Sequence, residues 1–342
     1  MQKGRFTTVS LLLIVIVLTL GVVTVEKAFA FDNSKFDACG FDSKCIVKLL
    51  QGRAQNEEPN RVISDYLNYM EKSNTLKASC HTVTHLFGQW VYEKYGVKKF
   101  DEEITGCLSG YMHGFLIGIS KNSNNSLAYL EAAKDLCETI PSKNKKGLCV
   151  HGLGHGAIFI VKSLAEANKM CLSFKDNALQ LECIDGTAME WNNSKLGSKL
   201  LTNKFLLNLC RDLVSYPNLH RECLAQILQH QSSMGNDPQN LKIFCEQQRG
   251  SAFDGCYEAL GYLVVNKNFS QVVNDPTILG SLIRVYCNDS KYSWCVTSIV
   301  SRGLSLTLDK RAGKTICKGI SRSLEKVCTQ AVNNSKLNIA QE

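Results

Sequence analysis

After residue 25 the chain has no second long apolar run, so nothing beyond its first segment reads as a membrane span. Its lysines are scattered, and no basic tract interleaved with aromatics marks a nucleic-acid groove. Strand-like alternation of apolar and polar residues is scarce, which argues against a sheet architecture. No G-x-S-x-G segment accompanies the glycine-rich "HGLGHG", so a serine-nucleophile reading of that stretch lacks its nucleophile. H-E-x-x-H is missing, and with it the usual base of a helical zinc protease. C-x-x-C-H is missing too, which excludes covalent haem attachment of that type.

The amino terminus is informative. Lys3 and Arg5 precede an apolar run from Val9 to Val25, and Ala28, Phe29 and Ala30 supply a small-x-small cleavage pattern. Residues 1–30 therefore read as a signal peptide or, at about 17 apolar residues, an N-terminal membrane anchor. Either way the remainder is expected outside the cytoplasm, secreted or tethered to the outer face of the membrane by residues 9–25. Without Lys3, Arg5, Lys27 and Glu26 the formal charge falls from +8 to +6, a modest excess. Nucleic acid is not an expected partner. Sequons at Asn124, Asn192, Asn268, Asn288 and Asn333 would carry glycans only in a glycosylating host.

Sixteen cysteines dominate the rest. In an exported chain an even number reads as a disulfide framework. From residue 137 onward they form close pairs: Cys137 with Cys149, Cys171 with Cys183, Cys210 with Cys223, Cys245 with Cys256, Cys287 with Cys295, and Cys317 with Cys328. The pairs restart every 30 to 42 residues, the mark of a repeat architecture. Segments such as "SLAYLEAAKDLC" end on a cysteine with helical apolar spacing, and segments such as "CYEALGYLVV" begin on one. Short polar stretches with turn residues lie between. The expected unit is a helical hairpin with its bend closed by one disulfide, each bridge worth about 3 kcal/mol in the chain-entropy model. Stacked hairpins would give an all-α, disulfide-stapled superhelix, a solenoid of the TPR type.

"FCEQQRGSAFDGCYEALGYL" resembles the Sel1-like repeats of secreted cysteine-rich proteins, in which a cysteine ends one helix and another opens the next near a Leu-Gly pair. The resemblance is architectural over about residues 125–332, with the Leu-Gly signature in this one repeat. It implies protein or peptide binding rather than a particular reaction. The expected organisation is an N-terminal helical region at 31–124 carrying His81, His85 and His113, paired repeats at 125–332, and a C-terminal tail at 333–342.

The opening cysteines also set a frame for the histidines. "CLSGYMHG" from Cys107 and "CVHGLGHG" from Cys149 both fit C-x-x-G-x-x-H-G, and "CIDGTAME" places Asp185 and Met189 at the corresponding positions of the next repeat. The glycines suit close helix contact, and the three in "HGLGHG" cost about 3 kcal/mol of helix propensity that packing or a site must offset. One reading is tight packing with histidines filling gaps.

The other is metal. His81 and His85 lie four apart, as do His151 and His155, so each pair shares a helical face. The candidate ligands are His81, His85, His113, His151, His155 and Asp185, with His85, His113 and His155 as the central set, His81 and His151 beside them as further ligands or supporting partners, and Glu190 or Met189 as alternatives to Asp185 for added help. Such imidazoles suit Cu²⁺ or Zn²⁺. A b-type haem between two of them is a further option. Glu190 and Asp185 are conceivable acid-base groups beside a metal, or else solvated or helix-capping carboxylates. Tyr111 reads as core, and His220 and His230 as incidental. Cys39, Cys45, Cys80 and Cys107 fall outside the local pairing rule; they form two bridges of open connectivity, or one of them ligates metal beside His81.

The function expected is an extracytoplasmic Cu- or Zn-binding accessory or scaffold protein that docks a protein partner. The alternatives are a metal-free interaction scaffold, a metal-dependent enzyme, or an accessory subunit of a membrane copper-enzyme complex.

Overall fold

The computed structural model describes residues 33–70, 74–194, 203–233, 237–307 and 313–339. The signal or anchor segment expected at 1–30 lies outside these residues. Among the described residues there are helices and no strands, as the periodicity predicts, and no helix is long and apolar enough to cross a membrane. All sixteen cysteines are oxidised, which fits an oxidising compartment.

The chain divides into two compact units, one up to Thr84 and one from His85. The first contains α1 (Asn33–Cys39), α2 (Ser43–Arg53) and α3 (Pro59–Met70). Cys39 and Cys45 bridge the α1–α2 bend, and Asp42 caps α2 by accepting from the Lys44 and Cys45 amides. Phe36, Ile46, Leu50, Val62, Ile63 and Tyr66 form its core. Helix α4 (Asn74–Tyr95) carries the division, with His81 in the first unit and His85 in the second.

The second unit is built from alternating short and long helices. The long ones are α5 (Gly106–Asn122), α7 (Lys143–Val161), α9 (Asn177–Asn193), α11 (Pro217–Ser233), α13 (Gly250–Lys267), α16 (Ser293–Thr307) and α18 (Arg322–Ile339). Each packs on the next in order, α5 on α7 through to α16 on α18, so they form one ladder of inner helices. Preceding them are the short helices α6 (Ser126–Glu138), α8 (Leu164–Cys171), α10 (Asn203–Leu209), α12 (Pro238–Glu246), α15 (Ile278–Tyr286) and α17 (Gly313–Ile316). One extra helix, α14 (Phe269–Asn274), is inserted after α13. This is the all-α, disulfide-rich helical repeat expected. Its ladder begins at α5, because α5 packs on α7 before the first local cysteine pair closes. Helix α18 runs to Ile339, through most of the stretch read as a tail.

All six expected pairs are bridged across a short-to-long bend, with Cα–Cα distances of 5.4–6.0 Å. Side-chain caps start the flanking helices: Asn125 accepts from the Ala128 amide, Ser142 from Lys145, Asp176 from Ala178 and Asp237 from Gln239. Cys80 and Cys107 are oxidised as well, so no thiol is left to ligate metal beside His81.

Two details depart from the sequence frame. Cys107, Leu108 and Ser109 adopt positive φ of 55–57°, so the regular helix starts at Gly110 and the match between "CLSGYMHG" and "CVHGLGHG" holds only from there. The sequon residue Asn192 is 3% exposed and its amide donates to the Gln226 carbonyl, which removes it as a glycan acceptor in the folded chain.

Candidate metal centre

Three helices deliver the site. Helix α4 brings His85, α5 brings His113, and α7 brings His151 and His155 one turn apart. Their approach is set by glycine. A Cβ on Gly114 would run into the His85 carbonyl, and one on Gly186 of α9 would run into the His151 carbonyl. At these two positions the backbones meet directly, so the helices that carry the imidazoles sit closer than side chains would allow. The packing role expected of the glycines and the histidine site are thus one arrangement.

His113, His151 and His155 are buried, and their candidate ligand nitrogens all lie within 4.8 Å of one another, a triad able to hold a metal ion. The Nε2 atoms of His151 and His155 are 3.0 Å apart. The ring centres are almost equidistant: 4.9 Å for His113–His151, 5.0 Å for His113–His155 and 4.9 Å for His151–His155. Three imidazoles on one tetrahedral zinc, each Zn–N about 2.05 Å, place Nε2 atoms about 3.3 Å apart and ring centres about 5.2 Å apart. The observed ring-centre spacings of 4.9–5.0 Å are close to that figure.

Each of the two α7 rings is fixed from behind. His151 Nδ1 lies 3.0 Å from Asp185 Oδ2, and His155 Nδ1 lies 2.9 Å from Glu190 Oε2. An ionised carboxylate on Nδ1 would hold the proton there and turn the Nε2 lone pair inward, the usual outer partner of a metal-bound histidine, a role Glu190 fills fully above about pH 7. Asp185 therefore stands behind a candidate ligand, and the side chains of Asp185 and Glu190, 22% and 12% exposed, hold imidazoles rather than helix ends. The carboxylate surroundings favour a cation. Burial alone lowers the His151 pKa, but Asp185, then Glu182 and Glu222, outweigh it and the net shift is upward. Glu190 is pushed up to about 7 by burial, with Lys121 opposing.

His85 is the next imidazole out, 6.4 Å from the His113 ring centre and 6.3 Å from that of His155. His151, expected beside the centre, is in the triad, and His85, expected in it, borders it. His81 belongs to the first unit and is not part of the triad. His220 is bonded through Nδ1 to Ser251 Oγ at 2.7 Å, away from the cluster, and the His230 side chain lies outside the described residues. Tyr111 is core, its hydroxyl donating to the Lys99 carbonyl. The α7 pair, whose Nε2 atoms meet at 3.0 Å, does not bracket a haem, which needs rings on opposite faces of a macrocycle.

Glu182 and Glu222 were not singled out by sequence. Both directly precede an opening cysteine, in "ECIDG" and "ECLAQ", so the repeat frame that aligned the histidines also aligns them.

No protein-family model matches this chain, and no curated protein and no solved structure matches it. The site must be judged on its own chemistry.

Proposed function

We propose that the chain binds one divalent transition-metal ion at His113, His151 and His155 and serves outside the cytoplasm as an accessory or scaffold protein that docks a protein partner. The observation that supports this most is the 3.0 Å approach of two Nε2 atoms whose Nδ1 atoms both rest on carboxylates. With both protons held outward, two lone pairs face one point, and a cation there satisfies both. Without metal, one ring must protonate and donate to the other.

The ring spacing favours Zn²⁺ over Cu²⁺. Square-planar copper would set neighbouring ring centres about 4.5 Å apart and opposite ones about 6.4 Å apart, so three ligands could not be mutually equidistant. Zinc has no such preference and accepts a three-cornered face of a tetrahedron. His85 is the proposed fourth ligand, reached by a side-chain rotation. A site filled by four imidazoles holds no water for chemistry, and the absence of a nucleophile motif in the sequence agrees with a non-catalytic role. The stapled ladder supplies the rigid surface that a partner would use.

The test is metal content and calorimetry on the oxidised, full-length chain. The reading expects saturable zinc at one ion per chain, tighter than copper after correction for the buffer, and lost on His151→Ala. Turnover of a substrate that disappears with chelator would instead make the protein a metalloenzyme.

A further inference from the structure

One repeat along the ladder from the histidines, the C-terminal halves of α9, α11 and α13 line a half-open cavity of about 150 Å³. Its walls include Met189, Asn192, Gln226, Gln229, Tyr262 and Asn266, with no acid or base among the lining residues. A polar, uncharged pocket of this size is not accounted for by the metal centre.

Three of the carboxamides are oriented by hydrogen-bond partners, for Asn192 and Asn266 by partners that can play only one role. Asn192 Nδ2 donates to the Gln226 main-chain carbonyl at 2.9 Å, so Oδ1 is its remaining end. That oxygen is buried with no hydrogen-bond partner among the described residues, on a residue 3% exposed. An unmet buried acceptor of this kind is costly unless something supplies a donor. Arg302, which can only donate, gives its Nε–H to Asn266 Oδ1 at 3.1 Å, leaving Asn266 Nδ2 as a donor. Gln226 Nε2 donates to Glu222 Oε1 at 3.4 Å, leaving Gln226 Oε1 as an acceptor.

The lining thus offers one acceptor and one donor, Gln226 Oε1 and Asn266 Nδ2, beside the buried Asn192 Oδ1, within room for about five waters. The Arg302 guanidinium lies over the Tyr262 ring, 4.7 Å from its centre, and keeps that ring in place; Met189 adds a thioether to the apolar contact. A phosphate or carboxylate would find no cation in the lining, and an ammonium no carboxylate. A hydroxylated ring meets every requirement, because each hydroxyl both donates and accepts and the ring carbons pack on Tyr262 and Met189. We infer that this cavity binds one neutral sugar ring, either a free monosaccharide or the end residue of a glycan.

The inference is independent of the metal. Ligand-observed NMR on the oxidised full chain, with glucose, galactose, mannose and N-acetylglucosamine at millimolar concentration, tests it. At least one should bind saturably. Asn266→Ala and Gln226→Ala, both at part-exposed positions, should each weaken it about tenfold, the effect of one lost hydrogen bond, with the helical circular dichroism spectrum retained. His155→Ala should leave sugar binding intact. Methyl glycosides separate the two sources: equal binding points to a glycan end, and binding of the free sugar alone points to a monosaccharide. No binding by any of the four, binding that survives both amide variants, or binding confined to peptides would overturn the inference.

Discussion

His155 Nδ1 meets Glu190 Oε2 at 2.9 Å, a contact between two inner helices that sit 35 residues apart in sequence. The same relation holds between His151 and Asp185. These two pairs decide where the Nε2 lone pairs point, and with them the chemistry of the centre.

Neutralising either carboxylate should therefore loosen the metal without removing a ligand. Asp185→Asn and Glu190→Gln are each expected to weaken zinc binding by about 10- to 100-fold, the range for partners of metal-bound histidines. His220→Ala, whose ring bonds Ser251 instead, should change nothing. Competition against a chromophoric chelator reads all three.

The packing that brings the helices together can be tested separately. A Cβ on Gly156 would collide with the Tyr129 hydroxyl, which itself donates to the Leu153 carbonyl at 2.7 Å. Gly156→Ala should lower stability by about 1–3 kcal/mol, as overpacked cores do. Adding Tyr129→Phe removes the colliding oxygen, so the double variant should recover part of the loss in a denaturant titration. Additive losses would place the limiting clash at the Tyr129 ring carbon, 2.6 Å from that Cβ, rather than at the hydroxyl.

Stability should also depend on pH through the buried carboxylates beside Arg221. Glu258 is pushed from 4.5 up to about 8 by burial and then by Glu222, with Arg221 opposing. An acid raised in the folded state binds more protons folded than unfolded between those two values, so its contribution is present below about 4.5 and is lost as pH rises to about 8. In chelator-treated protein the denaturation midpoint should fall across that window, and Glu258→Gln should flatten the fall. An unchanged slope in the variant would remove Glu258 as the cause.

Much of this was legible because it is local. A cysteine closing one helix and another opening the next, about a dozen residues on, states both the bend and the bridge, and all six such pairs form. The histidines stood out for a related reason, their register against those cysteines. What the register does not carry is the depth at which helices cross. Gly114 against the His85 carbonyl and Gly186 against the His151 carbonyl set that depth, and they bring His151 into the centre while His85 stays at its edge. The left-handed turn at Cys107–Ser109 has no glycine to announce it. The Glu190 contact joins different helices, so no spacing within one helix reveals it.

The bridges make their own prediction. Replacing Cys171 and Cys183 together by serine should cost about 3 kcal/mol. Because that bridge ties α9 at Cys183, two residues before Asp185, zinc affinity should fall with it. Intact affinity in a destabilised variant would mean that the carboxylates are placed by helix packing alone.

The central claim is settled most directly by titrating chelator-stripped, oxidised protein with zinc and counting ions by elemental analysis. The account predicts one tightly held zinc per chain, with alanine at His113, His151 or His155 each abolishing it and affinity falling as pH drops through the imidazole range. A folded, stripped protein that takes up neither Zn²⁺ nor Cu²⁺ at micromolar concentration would contradict it, and the histidines would then serve only to fill the crossing that the glycines create.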